Sequence, residues 1–171
     1  MARIPYADMS ALPDDLQEWH AKLPPDSHLF MMVAHSEASA ATLMQIGLQQ
    51  IRELELSPRL RELAANATAR VLDADYLRVR HNPPGVPITP DEREAIYRGD
   101  HSGFGGIDLA VLTFATAVAR GLPVDDEVFA PVRAELSDRQ IVELIQVVGY
   151  YWMFGQFANV LRIEATPYES R

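Results

Sequence analysis

Apolar residues recur at three- and four-residue intervals along almost the whole chain, and almost no segment alternates as a strand does. The pattern predicts longer helices over 36–55, 57–72, 89–99, 107–120, 125–134 and 137–162, with short helical pieces at 14–22, 28–34 and 76–81. Punctuation marks their ends. Ser57-Pro58 is a start signal, because serine accepts from free amides and proline fills the first turn without losing a hydrogen bond. Thr89-Pro90-Asp91-Glu92 and Ser137-x-x-Gln140 each read as a capping box. Gly99, and Gly121 with Pro123, read as stops. Residues 1–13 form an irregular arm with Pro5 and Pro13, and 82–90 is a stiff connector with four prolines and one glycine. The fold class is all-α, a compact antiparallel bundle of about seven to eight helices.

The closing helix is apolar around too much of its circumference for one core. Ile141, Leu144, Ile145, Val148, Trp152 and Gly155 form a stripe, and Tyr151, Phe154, Phe157 and Leu161 widen it. In a chain of 171 residues, one of its faces is expected to meet a neighbouring subunit. The length fits a single domain over 1–171. Acidic residues outnumber basic ones by 24 to 15, a formal charge of −9, which argues against nucleic acid and against anionic membrane surfaces. No run approaches the roughly 20 apolar residues of a membrane span. Met1–Tyr6 lacks a signal-peptide pattern, so a cytoplasmic location is expected. There is no cysteine, which removes disulfides, thiolate nucleophiles and thiolate metal sites. Lys22 is the one lysine. The glycines of Ser102–Gly106 match no phosphate-binding spacing.

The stretch from Ser57 to His81 carries the most information. It contains Arg61-Glu62-Leu63, then Asp75-Tyr76, then His81 five residues past the tyrosine. The closing helix reads Val148-Gly149-Tyr150-Tyr151, then Phe157-Ala158-Asn159. Together these resemble the carboxymuconolactone decarboxylase and alkylhydroperoxidase D-like superfamily over roughly 28–162, and imply its AhpD-like fold. In the peroxidase branch Glu62 and His81 fall on the relay glutamate and histidine, Ala74 and Leu77 on its two cysteines, and Tyr76 on a second relay histidine. The redox pair is gone, so thiol-based peroxidase activity has no residues to run on. The resemblance then implies the cysteine-free branch: proton transfer without a cofactor, on a small organic acid or lactone. The chain departs from that branch where Asn82-Pro83-Pro84-Gly85-Val86-Pro87 stops the histidine helix, and where Leu77 stands in place of an acid.

Read by helical geometry, Glu62, Asn66, Ala69 and Asp73 share one face. A carboxylate beside an imidazole fixes its tautomer and raises its basicity, which suits acid–base work near neutral pH. A buried Asn66 requires partners or a ligand that supplies them. Each residue also has a plainer role open to it. Glu62 can be an acid paired with Arg61, His81 a helix-end residue, and Asn66 a bridge between helices. His35 fits a capping role and His101 a solvated turn. His28 and His35, seven apart, make a weak metal pair. The Tyr150–Phe157 cluster fits core or interface better than a cofactor site.

These readings assign His81 and Glu62 as the catalytic acid–base pair, and Tyr76 and Asn66 as substrate-binding groups that stabilise an enolate. No cofactor and no metal are expected. The reaction class is decarboxylation, isomerisation or cyclisation of a small carbonyl compound. The alternative is a non-catalytic small-molecule-binding or oligomeric scaffold, and a metal-dependent enzyme stands third. A small-molecule partner and a homo-oligomer are expected, the resemblance implying a trimer, a multiple of trimers, or a dimer.

Overall fold

A computed structural model of the chain describes residues 1–24, 26–80 and 87–165. Among them are nine α-helices, no strand, and a 3-10 turn at Met9–Ala11. The helices are α1 (Asp14–Ala21), α2 (His28–Val33), α3 (Glu37–Arg52), α4 (Pro58–Val71), α5 (Asp75–Arg80), α6 (Pro90–Arg98), α7 (Gly106–Ala119), α8 (Asp126–Glu135) and α9 (Asp138–Leu161). They correspond one to one with the six longer and three short segments of the apolar pattern.

The start signals act as their chemistry requires. Ser57 accepts from the Leu60 amide at 3.3 Å, with Pro58 in the first turn. Thr89 and Ser137 each close a full capping box, with Glu92 and Gln140 reaching back. Gly99 ends α6 at φ 74°, a left-handed position natural for glycine. α3 stops at Arg52, three residues earlier than its pattern suggests. The chain beyond is held in non-helical form from α9: the Leu56 amide donates to Glu143 Oε2 at 2.8 Å, and Arg139 Nη2 donates to the Glu53 carbonyl at 3.1 Å. α4 ends at Val71, and Asp73 turns left-handed at φ 50° and faces solvent. Asp73 therefore leaves the face it would share with Glu62 in a continuous helix.

Two hydrophobic clusters share α4 and α9 as their common supports. The first sits between α4, α6, α7, α8 and the first half of α9, around Leu63, Ile96, Leu112, Phe114 and Leu144. The second gathers α1, α2, α5 and the second half of α9 around Leu16, Phe30, Leu77 and Phe154. The alanines of α4 let neighbouring helices approach closely, and Ala64, Ala65, Ala67 and Ala69 are all buried. Gly155 does the same on α9, where the Leu72 and Leu77 methyls occupy the space a Cβ would take.

The N-terminal arm is docked rather than loose. The Arg3 amide donates to the Leu161 carbonyl at 2.9 Å, the Ala7 amide to Met31 at 3.1 Å, and Tyr6 stacks on His28 at 4.7 Å. Arg59 ties the start of α4 to Glu92 of α6, Asp108 of α7 and the Pro87 carbonyl. No helix among the described residues is long and apolar enough to cross a membrane.

Candidate functional site

α5 follows α4 after a three-residue turn and lies under the second half of α9. There the two helices, with α2, α3 and the described residues between α1 and α2, line an open cavity of about 210 Å³. Its walls are apolar and aromatic: Phe30 from α2, Met44 from α3, and Tyr150, Tyr151 and Phe154 from α9. α5 contributes Tyr76, Leu77 and Arg80, and Leu23, Pro24 and Ser27 come from the residues between α1 and α2. Tyr76 and Arg80 are four residues apart and so share a helical face.

Polar groups in this wall have defined partners. Tyr76 is buried, and its hydroxyl accepts from the Leu29 amide at 3.2 Å. That amide lies in the first turn of α2, where no side chain at Ser27 caps the helix, so the phenol takes over the task. Arg80 is 8% exposed and its Nη1 donates to Asp26 Oδ2 at 2.8 Å. The Tyr150 hydroxyl donates to the Leu43 carbonyl at 3.2 Å. Burial pushes the Tyr150 phenol well above its ordinary pKa, so it is a neutral donor at physiological pH.

The other sequence-derived residues lie elsewhere or outside the described chain. Glu62 is buried on α4, where Arg61 donates to its Oε1 from Nε at 3.2 Å and from Nη2 at 3.0 Å. Arg61 also donates to the Gln50 and Ile51 carbonyls at the end of α3, so this ion pair sits against the α3 terminus. Asn66 is buried and spans α4 and α6. Its Nδ2 donates to the Glu62 carbonyl at 2.8 Å, and its Oδ1 accepts from the Tyr97 hydroxyl at 3.2 Å. Neither Glu62 nor Asn66 is among the described residues lining the cavity. His81 lies outside the described residues. So do 82–86 of the proline-rich connector.

The four described histidines are engaged singly, His20 stacking on Phe30 at 6.1 Å. His28 stacks on Tyr6 and contacts the Glu164 carbonyl at 3.4 Å, and His35 Nε2 meets the Pro5 carbonyl at 2.9 Å. His101 packs edge-on against Phe104, and burial lowers its pKa. No group of three or more metal-ligating side chains occurs among the described residues.

Sequence reasoning missed Arg80, Phe30 and Tyr150 as cavity residues. The one available signal was the four-residue spacing of Tyr76 and Arg80. Phe30 and Tyr150 come from distant segments, and only packing brings them to α5.

On the opposite side of α9, Val142, Ile145 and Trp152 are exposed, at 61%, 45% and 43%. Ile145, Gly149 and Trp152 edge a shallow groove of about 330 Å³ against Val118–Gly121 at the end of α7.

No protein-family model and no curated protein matches the sequence. Solved structures do match in fold. An alkylhydroperoxidase AhpD core, described as an uncharacterized peroxidase-related protein from Ralstonia eutropha JMP134, superposes with a TM-score of 0.82 at 17% identity. The match covers 96% of this chain and 92% of that one. An uncharacterized peroxidase-related protein from Silicibacter sp. TM1040 superposes with a TM-score of 0.78 at 18% identity, covering 96% and 90%. The chain has the AhpD-like fold.

Proposed function

We propose that this protein is a cofactor-independent acid–base enzyme, similar to the carboxymuconolactone decarboxylases, acting on a small organic acid, lactone or related carbonyl compound. The observation that supports it is the cavity walled by the last turn of α5. Tyr76 and Arg80 line it, and His81 is the next residue of the chain. In this reading His81 removes the proton beside a carbonyl, the electron pair moves onto the carbonyl oxygen, and Tyr76 donates to the resulting enolate. A phenol that already accepts a hydrogen bond from Leu29 is the better donor for it. In this reading Glu62 orients His81 from outside the cavity lining, and Asn66, engaged by the Glu62 carbonyl and the Tyr97 hydroxyl, holds α4 to α6 rather than binding substrate. The absence of cysteine removes thiol peroxidase chemistry from this proposal.

The test is solvent exchange. Small carbonyl acids and lactones are incubated with the protein in deuterated water, and deuterium entry beside the carbonyl is followed by NMR. Wild type exchanges at least one of them, and His81→Ala loses exchange while its helical circular dichroism is retained. Exchange that persists in His81→Ala overturns the assignment.

One observation favours the non-catalytic alternative: no described residue lining the cavity is a carboxylate or an imidazole. Under that reading ligands bind, nothing exchanges, and His81→Ala alters affinity alone.

We also propose that the chain assembles with copies of itself through the outer face of α9. The exposed Val142, Ile145 and Trp152 support this, as does the groove beside them that would receive the partner's Trp152 in a self-complementary contact. Light scattering over a concentration series should give a mass above one chain. Trp152→Glu should lower it to the monomer, and a monomeric wild type overturns the idea.

A further inference from the structure

Two arginines fall among the buried residues, Arg80 and Arg93, at 8% and 6% exposure. Arg80 has an anionic partner in Asp26. Arg93, on α6, has none. Its Nε is buried without a hydrogen-bond partner, and its guanidinium forms no ion pair among the described residues. A guanidinium keeps its charge at physiological pH and loses much of its hydration on burial, so an anion is expected beside it. Contacts along α4 and α6 fix where Arg93 sits. Arg59 meets Glu92, the Tyr97 hydroxyl meets Asn66, and Arg70 stands where a Cβ on Gly99 would point. The two helices therefore run in parallel. Arg93 falls between the first two contacts, one turn before Tyr97 and on the same face. One turn before Asn66 on α4 is Glu62, which Arg61 holds and which forms no ion pair with Arg93. The buried acid at this level does not answer the Arg93 charge.

The other charges near this seam do not answer it either. Arg78 and Arg93 act on Tyr97 as cations, and Glu94 and Asp75 as anions. Arg78 lies over the Tyr97 ring at 4.9 Å and pairs with Glu94 at 3.3 Å. Asp75 is exposed to water. Tyr97 itself supplies no negative charge, because burial keeps its phenol protonated. A guanidinium with a free Nε offers the edge formed by Nε and Nη2, whose two parallel N–H groups match the two oxygens of a planar carboxylate. A dianion would bring surplus negative charge toward Glu94 and Asp75, so the site suits a single negative charge.

We propose that Arg93 is an anion-binding residue at the seam of α4 and α6, and that it takes the carboxylate of a small organic acid. Arg93 is not among the described residues lining the α5 cavity, so this site stands or falls apart from the acid–base chemistry assigned to that cavity.

The experiment is side-chain NMR of the full, isotope-labelled chain as sodium chloride is replaced by sodium acetate at constant ionic strength. One arginine Nε–H signal should shift saturably, and that signal should be missing from Arg93→Lys, which keeps a cation but loses the fork. Sulfate, a tetrahedral dianion, should need about tenfold or more higher concentration to move the same signal. Thermal unfolding gives a second readout. Acetate should raise the Tm of wild type by more than that of Arg93→Met, so that the general effect of the salt cancels in the comparison. If Arg93→Met does not fold, the wild-type titration and Arg93→Lys decide the matter. No saturable shift, a shifting signal that survives in Arg93→Lys, equal gains in Tm, or sulfate acting at equal or lower concentration each overturns the proposal. An acetate response at Arg93 with no deuterium exchange on any substrate leaves this inference standing and removes the enzymatic reading. Exchange without a response at Arg93 does the reverse.

Discussion

The Tyr150 hydroxyl rests on the backbone of Gly47, so close that a Cβ at residue 47 would overlap its oxygen. The hydroxyl is held there by its hydrogen bond to the Leu43 carbonyl, one turn earlier on α3. A glycine inside a helix ordinarily costs about 1 kcal/mol relative to alanine, so Gly47→Ala would be stabilising on helix propensity alone. The contact reverses the sign. Gly47→Ala should destabilise by about 1–3 kcal/mol, as an overpacked core site does. Tyr150→Phe removes the offending oxygen, and Gly47→Ala in that background should recover part of the loss. Urea denaturation of the two single variants and the double measures the coupling. Strict additivity would show that the two residues do not meet as described.

Asn66 and Tyr97 form a second dependent pair. The Tyr97 hydroxyl donates to Asn66 Oδ1 from a largely buried position, and desolvation raises the phenol's pKa. Asn66→Ala leaves that hydroxyl without its acceptor and opens a small gap in α4. A cost of about 2–3 kcal/mol is expected. Tyr97→Phe should be milder alone, and in the Asn66→Ala background it should restore stability, because no stranded hydroxyl is left. Thermal unfolding of the four proteins checks the order.

These two pairs show what a sequence can and cannot disclose. Ser57, Thr89, Ser137 and Gly99 act within one turn of themselves, so the helix boundaries they set could be read directly. The fold class followed from their order and from the apolar spacing. Asp73 escaped that reading because a left-handed turn at φ 50° gives no signal in helical periodicity. The cavity was less legible still. Tyr76 could be named from its place before His81, but its bond to Leu29 spans 47 positions. Arg80 meets Asp26 across 54 positions, and Tyr150 meets Leu43 across 107. Residues so far apart are joined by packing, and one sequence carries no periodic trace of it.

The Arg59 junction predicts a pH dependence. Hydrogen bonds from Arg59, aided by the Thr89 amide, lower the Glu92 carboxyl from 4.5 to about 2. A carboxyl whose folded pKa is depressed binds protons more readily in the unfolded chain, so its stabilisation is complete above about 4.5. It fades as pH falls toward about 2, where the folded form also takes up the proton. Glu92→Gln should therefore be less stable than wild type at neutral pH, by on the order of 1–2 kcal/mol at this partly exposed site. The gap should close on acidification between these limits. Denaturation midpoints of both proteins from pH 7 to pH 2 test it. A gap constant across that range would mean that the ion pair contributes nothing.

Arg61 and Glu62 are expected to behave differently, because water reaches them so little. Their side chains are 11% and 4% exposed, and Arg61 also binds the carbonyls of Gln50 and Ile51. Neutralising the acid leaves a buried guanidinium with carbonyl partners but a diminished counter-charge. Glu62→Gln should cost about 2–4 kcal/mol at neutral pH, toward the range found when one member of a buried pair is removed. The loosened arginine should also weaken the anchoring of the α3 terminus, so amide exchange should quicken around residues 50–52 before it does elsewhere in α3. Adding Arg61→Met should recover part of the charge cost, yet exchange at 50–52 should stay fast, because the carbonyl partners are gone. Hydrogen-exchange mass spectrometry with urea denaturation separates the two contributions. Unchanged stability in Glu62→Gln would mean that the carboxylate is as dispensable to the fold as a surface acid.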